Sequence, residues 1–376
     1  MQFPNTPSSL DEITVPWAEE KAEWAQKRCA AFLAAPEAQR FLFGRNVYTE
    51  AVLQHLAVAG IVDDYTSDTA QGGIPILSIA DLPESAFVLA LSGGRPLTVR
   101  RLLEDRGIRN IDYFTFLRWS GLDLPHAAFN DGFGALVQAH GDDIAWIYER
   151  LSDETSRATF LKLFKFRYSY DLDWLGGFTE RQTKQYFEDF LALGTNRDVF
   201  LDIGGFDGFT TNEFARLYPE FKAAYVFEPE SENFKACTAA TAVHDNVQVL
   251  NFGASDENAT IKFTANGSAS RIDVDGELSL EVRRIDDVVQ EPVTFIKMDI
   301  EGAEAQAIRG ALRTISDYRP NLAICVYHRP SDFWEIPKAI LALNPDYRVY
   351  LRHYTESIYE TVMYFVPTTS AVGAAS

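Results

Sequence analysis

The stretch from Val199 to Thr210, VFLDIGGFDGFT, narrows the possible folds more than any other part of the chain. An apolar strand runs into a turn holding Gly204, Gly205 and Gly208, and a helical pattern follows. Glycine there lets the backbone come close to a ligand, and the first amides of the helix are free to donate to it. A second strand, Ala224 to Phe227, ends in Glu228-Pro229, which puts a carboxylate 20 residues past Gly208. That is the spacing at which an acid reaches ribose hydroxyls in a nucleotide-binding βαβ unit. The plain alternative is a strand-to-helix turn with a surface glutamate.

Counted from Gly204, Phe206 and Phe209 stand where the dinucleotide pattern G-x-G-x-x-G needs its second and third glycines, so a pyrophosphate turn is disfavoured. Asp202, just before the turn, suits a ligand with an ammonium group, such as S-adenosylmethionine, better than it suits two phosphates.

From Val199 onward β and α signals alternate to Pro367, with strands expected at 199–203, 224–227, 247–251, 294–298, 321–326, 347–350 and 362–366. The last two have no helical pattern between them and are expected to pair antiparallel. A shorter alternation precedes them: strands at 40–44, 60–64, 74–77, 86–91 and 110–113, with helices over 48–59 and around 99–106. Residues 8–34 read as an amphipathic helix, with Ala22, Ala25, Cys29, Phe32 and Leu33 forming a stripe for packing or an oligomer contact. Residues 121–195 read as helical and aromatic; Thr179 and Gln182 form a T-x-x-Q capping box and Gly194 a stop, framing a helix over 180–193.

The expected fold class is therefore α/β. A doubly wound, mostly parallel sheet with an antiparallel last strand occupies 196–367, and a smaller Rossmann-like domain occupies 36–120. An N-terminal helical segment at 1–35, a helical bridge at 121–195 and a disordered tail at 368–376 complete it.

Composition excludes several functions. With 34 basic and 54 acidic residues the net charge is −20, a field that repels nucleic acid and anionic lipid, so a small-molecule or glycan acceptor is the expected partner. Cys29, Cys237 and Cys325 are odd in number and widely spaced, which suits neither a disulfide framework nor a structural zinc site. That cysteine usage makes a reducing cytoplasm the default, and since Met1 to Glu19 lacks a basic region followed by an apolar run and no stretch approaches the roughly 18 apolar residues of a membrane span, a soluble chain is expected.

Taken together, DIGGFDGFTT (202–211), VFEPE (226–230), NFGAS (251–255), RRIDDVV (283–289), FIKMDIEGAEAQAIRGA (295–311) and YH (327–328) resemble the FkbM family of S-adenosylmethionine-dependent methyltransferases. The resemblance covers about the last half of the chain, and FIKMDIEGAE is its most specific block. It implies a class I methyltransferase fold, a seven-stranded sheet with one reversed strand, and O-methylation of a sugar or polyketide hydroxyl. On that analogy Asp202, Gly204, Gly205, Asp207 and Gly208 hold the methionine end of the cofactor, Glu228 the ribose, and Ala254 and Ser255 the adenine edge. Phe206 departs from the asparagine frequent in this family's turn.

In an open α/β sheet ligands bind outside the carboxyl ends of the strands, where Asp299, Glu301, Tyr327 and His328 are expected to converge. Methyl transfer requires an aligned hydroxyl whose proton is removed as charge develops. His328 is the first candidate for general base, with Asp299 or Glu301 orienting it or taking its role; a divalent metal held by the same groups stays open. Asp299 and Glu301 as helix caps, and His328 as a loop histidine, are the structural alternatives. The polar loop at 267–271 is expected to be a plain turn, with contact to cofactor or substrate as the alternative.

Gly44-Arg45-Asn46 after one strand and Asp63-Asp64 after the next repeat the nucleotide-type arrangement weakly, leaving docking, dimerisation and a degenerate sugar-nucleotide site open. The expected function is methyl transfer from S-adenosylmethionine to a sugar or glycoconjugate hydroxyl. The rivals are a nicotinamide-dependent nucleotide-sugar oxidoreductase, a non-catalytic binding protein, and a methyltransferase acting on nitrogen or carbon.

Overall fold

The computed structural model describes residues 12–264, 271–272 and 278–368. The start of the expected N-terminal helix, the polar loop at 267–270 and the tail beyond 368 lie outside them. The chain divides into two compact units. The first takes the residues up to Gly141 with Ala158–Arg181 and Tyr354–Tyr359; the second takes Asp142–Arg157, Gln182–His353 and the residues from Glu360 on.

Among the described residues the first unit is built on six strands: β1 (Arg40–Phe43), β2 (Gly60–Val62), β3 (Ala70–Gln71), β4 (Ile74–Leu77), β5 (Phe87–Ala90) and β6 (Arg109–Asp112). Their order is β3-β4-β2-β1-β5-β6, parallel throughout except for β3 against β4. All of β5, FVLA, is buried, as a central parallel strand covered on both faces must be. Period-two alternation sends Phe87 and Leu89 to one face and Val88 and Ala90 to the other.

Helix α1 (Glu19–Ala34) covers the first face with Ala25, Cys29 and Phe32, and Phe32 meets Phe87 and Phe116 edge to face at 5.1 and 5.4 Å. It begins only after Pro16, which cannot supply a helical amide, and not at residue 8. Helices α2 (Val47–Leu53), α3 (Pro96–Asp105) and α4 (Tyr113–Trp119) complete this layer pattern, with Val99 and Leu103 of α3 on the second face.

The aromatic stretch expected as a bridge holds α5 (Phe133–Ala139), α6 (Gly141–Arg150) and α7 (Glu154–Ser169), and its residues are shared between the units. The helix expected over 180–193 is absent. The chain instead makes single 3-10 turns at Gln182–Lys184 and Asp189–Leu191, because Tyr186 and Ala192 take left-handed φ values of 72° and 50°. Buried Tyr186, Phe187 and Leu191 anchor this segment turn by turn, so packing overrides the capping signal.

The second unit carries β7 (Val199–Ile203), α8 (Phe209–Leu217), β8 (Ala223–Phe227), α9 (Ser231–Thr241), β9 (Val247–Leu250), β10 (Gly253–Ala254), β11 (Ala259–Thr264), β12 (Arg271–Ile272), β13 (Leu278–Arg283), α10 (Ile285–Val288), β14 (Phe295–Met298), α11 (Glu304–Gly310), β15 (Asn321–Cys325), α12 (Asp332–Leu343), β16 (Tyr347–His353) and β17 (Thr361–Pro367). Its main sheet has seven strands among the described residues, ordered β16-β17-β15-β14-β7-β8-β9. Only β17 is reversed, antiparallel to β15 and β16, as expected for the last pair. A second sheet, β10-β13-β11-β12, is an addition to the expected architecture.

Every helical crossover of the main sheet leaves from the carboxyl end of its strand. The turns after β7, β8, β14 and β15 therefore gather at one rim, joined by Glu360 at the start of the reversed β17.

Candidate active site

The glycine turn is fixed by contacts that tolerate no other residue. A Cβ on Gly204, whose φ is 88°, would lie 2.1 Å from the Asp299 carbonyl oxygen, and one on Gly205 would lie 2.1 Å from Cγ1 of Val226. The amides of both donate to the Phe227 carbonyl at 2.9 and 3.2 Å, pressing the turn onto the end of β8. Phe206 follows with φ 48°, an unusual value for a bulky residue, and its ring is 63% exposed.

The Phe206 amide donates to Oε2 of Glu228 at 2.8 Å, while Oε1 accepts from the Glu230 amide at 2.9 Å. The acid expected at the ribose position thus stands against the glycine turn. Burial raises its pKa, opposed by those amides and by Lys297. Two bonds leave further lone pairs for ligand hydroxyls.

Asp202 is fully buried beneath the turn and already has an ammonium, that of Lys297 in the middle of β14, 3.0 Å from Oδ1. Lys297 also donates to the Gly204 carbonyl, and Thr211 donates to Oδ2 of Asp202 at 2.7 Å. Burial would lower the Lys297 pKa, but Asp202 and Asp299 raise it. Asp207 is exposed and accepts from the Phe209 amide at 3.0 Å, opening α8 after Gly208. Ala254 and Ser255 lie at and just after β10, the Ser255 amide donating to the Arg283 carbonyl at 2.9 Å. The segment leading into β10 runs beside the acid, where Asn251 Nδ2 donates to the Glu228 carbonyl at 3.0 Å.

The second group of expected residues converges as well. His328 is buried, with Nδ1 2.9 Å from Oε1 of Glu304 and Nε2 3.4 Å from Oδ1 of Asp299 and 3.6 Å from Oε2 of Glu301. Tyr186 donates to Oδ2 of Asp299 at 2.8 Å and accepts from Gln185 at 2.9 Å, and Gln185 donates in turn to Glu360. The Tyr327 hydroxyl is 3.4 Å from both Asp299 and Glu360.

Burial alone would lower His328, but the hydrogen bond and charge of Glu304, with Asp299 and Glu301, raise it to about 9. Burial, helped by Asp299, Glu304 and Glu360 and opposed by His328, pushes Glu301 up to about 7. Burial would also raise Asp299, yet His328, Lys297 and Tyr186 hold it below the usual range. The cluster is therefore acid-rich, and its carboxylates favour a protonated imidazole at neutral pH.

Residues 201–358 match the model of the methyltransferase FkbM domain. Over these residues the chain is similar to that domain. The 2-O-methyltransferase NoeI of Sinorhizobium fredii is 28% identical over 180 residues, which cover 40% of this chain and 72% of that protein. The crystal structure of methyltransferase FkbM from Methylobacillus flagellatus shares the fold over 95% of both chains, with a TM-score of 0.71 at 22% identity.

Five residues that stand among this group were not singled out from the sequence. Lys297 and Glu304 lie inside FIKMDIEGAE, where the i, i+3 spacing of Glu301 and Glu304 at a helix start was an available signal. Gln185, Tyr186 and Glu360 come from segments far along the chain and are joined to the site only by the fold. In the first unit, the weak nucleotide-type arrangement is closed by its own side chains. Asn46 caps α2 through the amides of Tyr48 and Thr49, and Arg45 lies 3.6 Å from Asp63 and 2.9 Å from Asp68.

Proposed function

We propose that this chain transfers a methyl group from S-adenosylmethionine to a hydroxyl of a sugar or glycoconjugate. The observation that carries this reading is the meeting, at one sheet rim, of a glycine turn bonded to Glu228 with the acid-rich group Asp299, Glu301, Glu304 and Glu360. The donor set fits the ligand: Glu228 offers acceptor lone pairs to ribose hydroxyls, and the excess of carboxylates over His328 and Lys297 favours a cationic sulfonium. The donor supplies an electrophilic methyl; the C–S bond breaks to leave a neutral thioether as the C–O bond forms.

This chain's own residues orient the hydroxyl and take its proton. Asp299, Glu301 and His328 stand together for that task. The carboxylates hold the proton-accepting capacity at neutral pH, with Glu301 at about 7 the best matched to it. A second positive charge nearby lowers the affinity of His328 for its proton and brings the imidazole into play. Asp202, locked to Lys297, holds the turn in shape and leaves the ligand ammonium to other acceptors. The name of the Sinorhizobium relative, a 2-O-methyltransferase, supports oxygen as the acceptor atom.

The test is incubation of the full chain with methyl-labelled S-adenosylmethionine and a panel of simple glycosides, followed by mass spectrometry. Addition of one methyl to oxygen, reduced about a hundredfold or more in His328→Ala, is expected. Label on nitrogen or carbon, or none with any glycoside while S-adenosylhomocysteine binds, would overturn the acceptor assignment.

A further inference from the structure

The cluster around His328 has the layout of a cation site. Its Nδ1 is engaged by Glu304 at 2.9 Å, which turns the opposite edge of the ring, Nε2, toward Asp299 at 3.4 Å and Glu301 at 3.6 Å. Both separations are long for hydrogen bonds. They match the spacing between two donors that share one ion, since ligands each about 2.0–2.2 Å from a metal stand some 3 to 3.6 Å apart. A carboxylate on the far nitrogen of a metal-binding histidine is the recurring device that fixes its tautomer and orientation.

A second observation comes from Glu304 itself. The side chain is fully buried, and while Oε1 serves His328 and the Ile300 amide, Oε2 has no hydrogen-bond partner among the described residues. A buried carboxylate oxygen left so is costly unless a cation or proton comes to it. One donor atom each from Asp299, Glu304 and His328 lies within 4.8 Å of the others. With Glu304 on Nδ1, the ion's place is at Nε2 between Asp299 and Glu301, and Glu304 acts on it through the ring.

We propose that Asp299 and His328, with Glu301 and Glu304 beside them, bind a divalent metal ion of the kind that accepts mixed nitrogen and oxygen donors, such as Mn²⁺, Co²⁺ or Zn²⁺. This rests on the site assigned above and adds a means of lowering the pKa of a bound hydroxyl.

The test uses the full chain stripped with a chelator and titrated with MnCl₂, free Mn²⁺ being read by electron paramagnetic resonance. One saturable site per chain is expected, weakened at least about tenfold in Asp299→Asn and His328→Ala, and about 10–100-fold in Glu304→Gln. Co²⁺ should give a visible d–d spectrum that changes in His328→Ala as the nitrogen donor is lost, a signature that a structural defect does not imitate. No saturable Mn²⁺ or Co²⁺ in the parent chain, or binding indifferent to both Asp299→Asn and His328→Ala, overturns the site. Calorimetry with S-adenosylhomocysteine on the same samples separates the readings: cofactor binding without metal removes only the metal, and metal binding without the cofactor removes the methyl-transfer reading.

Discussion

Removing the charges of Lys297 and its partner together should cost the second unit clearly less than the sum of removing each alone. The Lys297 and Asp202 side chains are 4% and 0% exposed, their charged atoms 3.0 Å apart. Lys297→Met strands a fully buried carboxylate and also strips the Gly204 carbonyl of its donor. Uncompensated buried charges of this kind cost about 3–5 kcal/mol, and the lost charged hydrogen bond adds to the upper end. Asp202→Asn strands the ammonium instead, softened because Asp299 also faces it, so about 2–4 kcal/mol is expected. In the double variant neither charge is left alone. Its loss should fall short of the sum of the two by about 2 kcal/mol or more. Because the chain has two units, the loss is best read locally, by hydrogen exchange of peptides spanning 199–210 and 295–301 under mild denaturant. Additive losses, or singles within about 0.5 kcal/mol of the parent, would refute the pair as the lock on the turn.

Three further outcomes follow from the same geometry. Glu228→Ala should weaken S-adenosylhomocysteine binding by about 1–3 kcal/mol, and unchanged affinity by calorimetry would remove its assignment to the ribose. Phe206→Gly should raise stability by up to about 1 kcal/mol, since a bulky residue at φ 48° gives up strain and only an exposed ring; a lower melting temperature would show that the ring packs. Asp332, raised to about 7 by burial and the nearby Glu304, carries a folded-state pKa above that of the unfolded chain. Its contribution is complete below about pH 4 and is lost as pH climbs toward 7, by as much as about 4 kcal/mol. Asp332→Asn should therefore stabilise the protein at pH 8 and change little at pH 4, as read from denaturant midpoints; equal effects at both would refute the shift.

The parts of this fold that were legible in sequence are those written by local periodicity. The run VFLDIGGFDG is readable because a buried strand, a glycine turn and a helix start leave signals within a dozen residues, and the Glu228 spacing follows from one βαβ unit. The antiparallel β16–β17 pair was legible for want of a helix between them. The added sheet was not read, although ATIKFT and LSLEVR alternate with period two, because the six-residue strands interrupt a βα rhythm that otherwise predicts helices there. The helix at 180–193 failed for the opposite reason. Its capping box is a good local signal, but burial of Tyr186 and Phe187 fixes the backbone by long-range packing.

Asp299, Glu301 and His328 could be expected side by side because strand ends are predictable, and the fold does bring them together. Their settings could not be expected, since the proton on His328 depends on Glu304, and the place of Asp299 depends on Tyr186, which lies 113 residues away. Asp202 shows the limit most clearly. Its position before the turn suggested a ligand cation, and only the register of β14 against β7, which pairs Lys297 with Asp202, shows that the chain supplies that cation itself.

The claim on which the rest depends is that the rim formed by the glycine turn, Glu228 and the His328 cluster binds the methyl donor. Isothermal titration of the full chain with S-adenosylhomocysteine, with NAD as the control ligand, tests it most directly. Saturable binding of one S-adenosylhomocysteine per chain and none of NAD is the predicted result. Saturable NAD binding with no response to S-adenosylhomocysteine would contradict the account and make an oxidoreductase the reading to pursue.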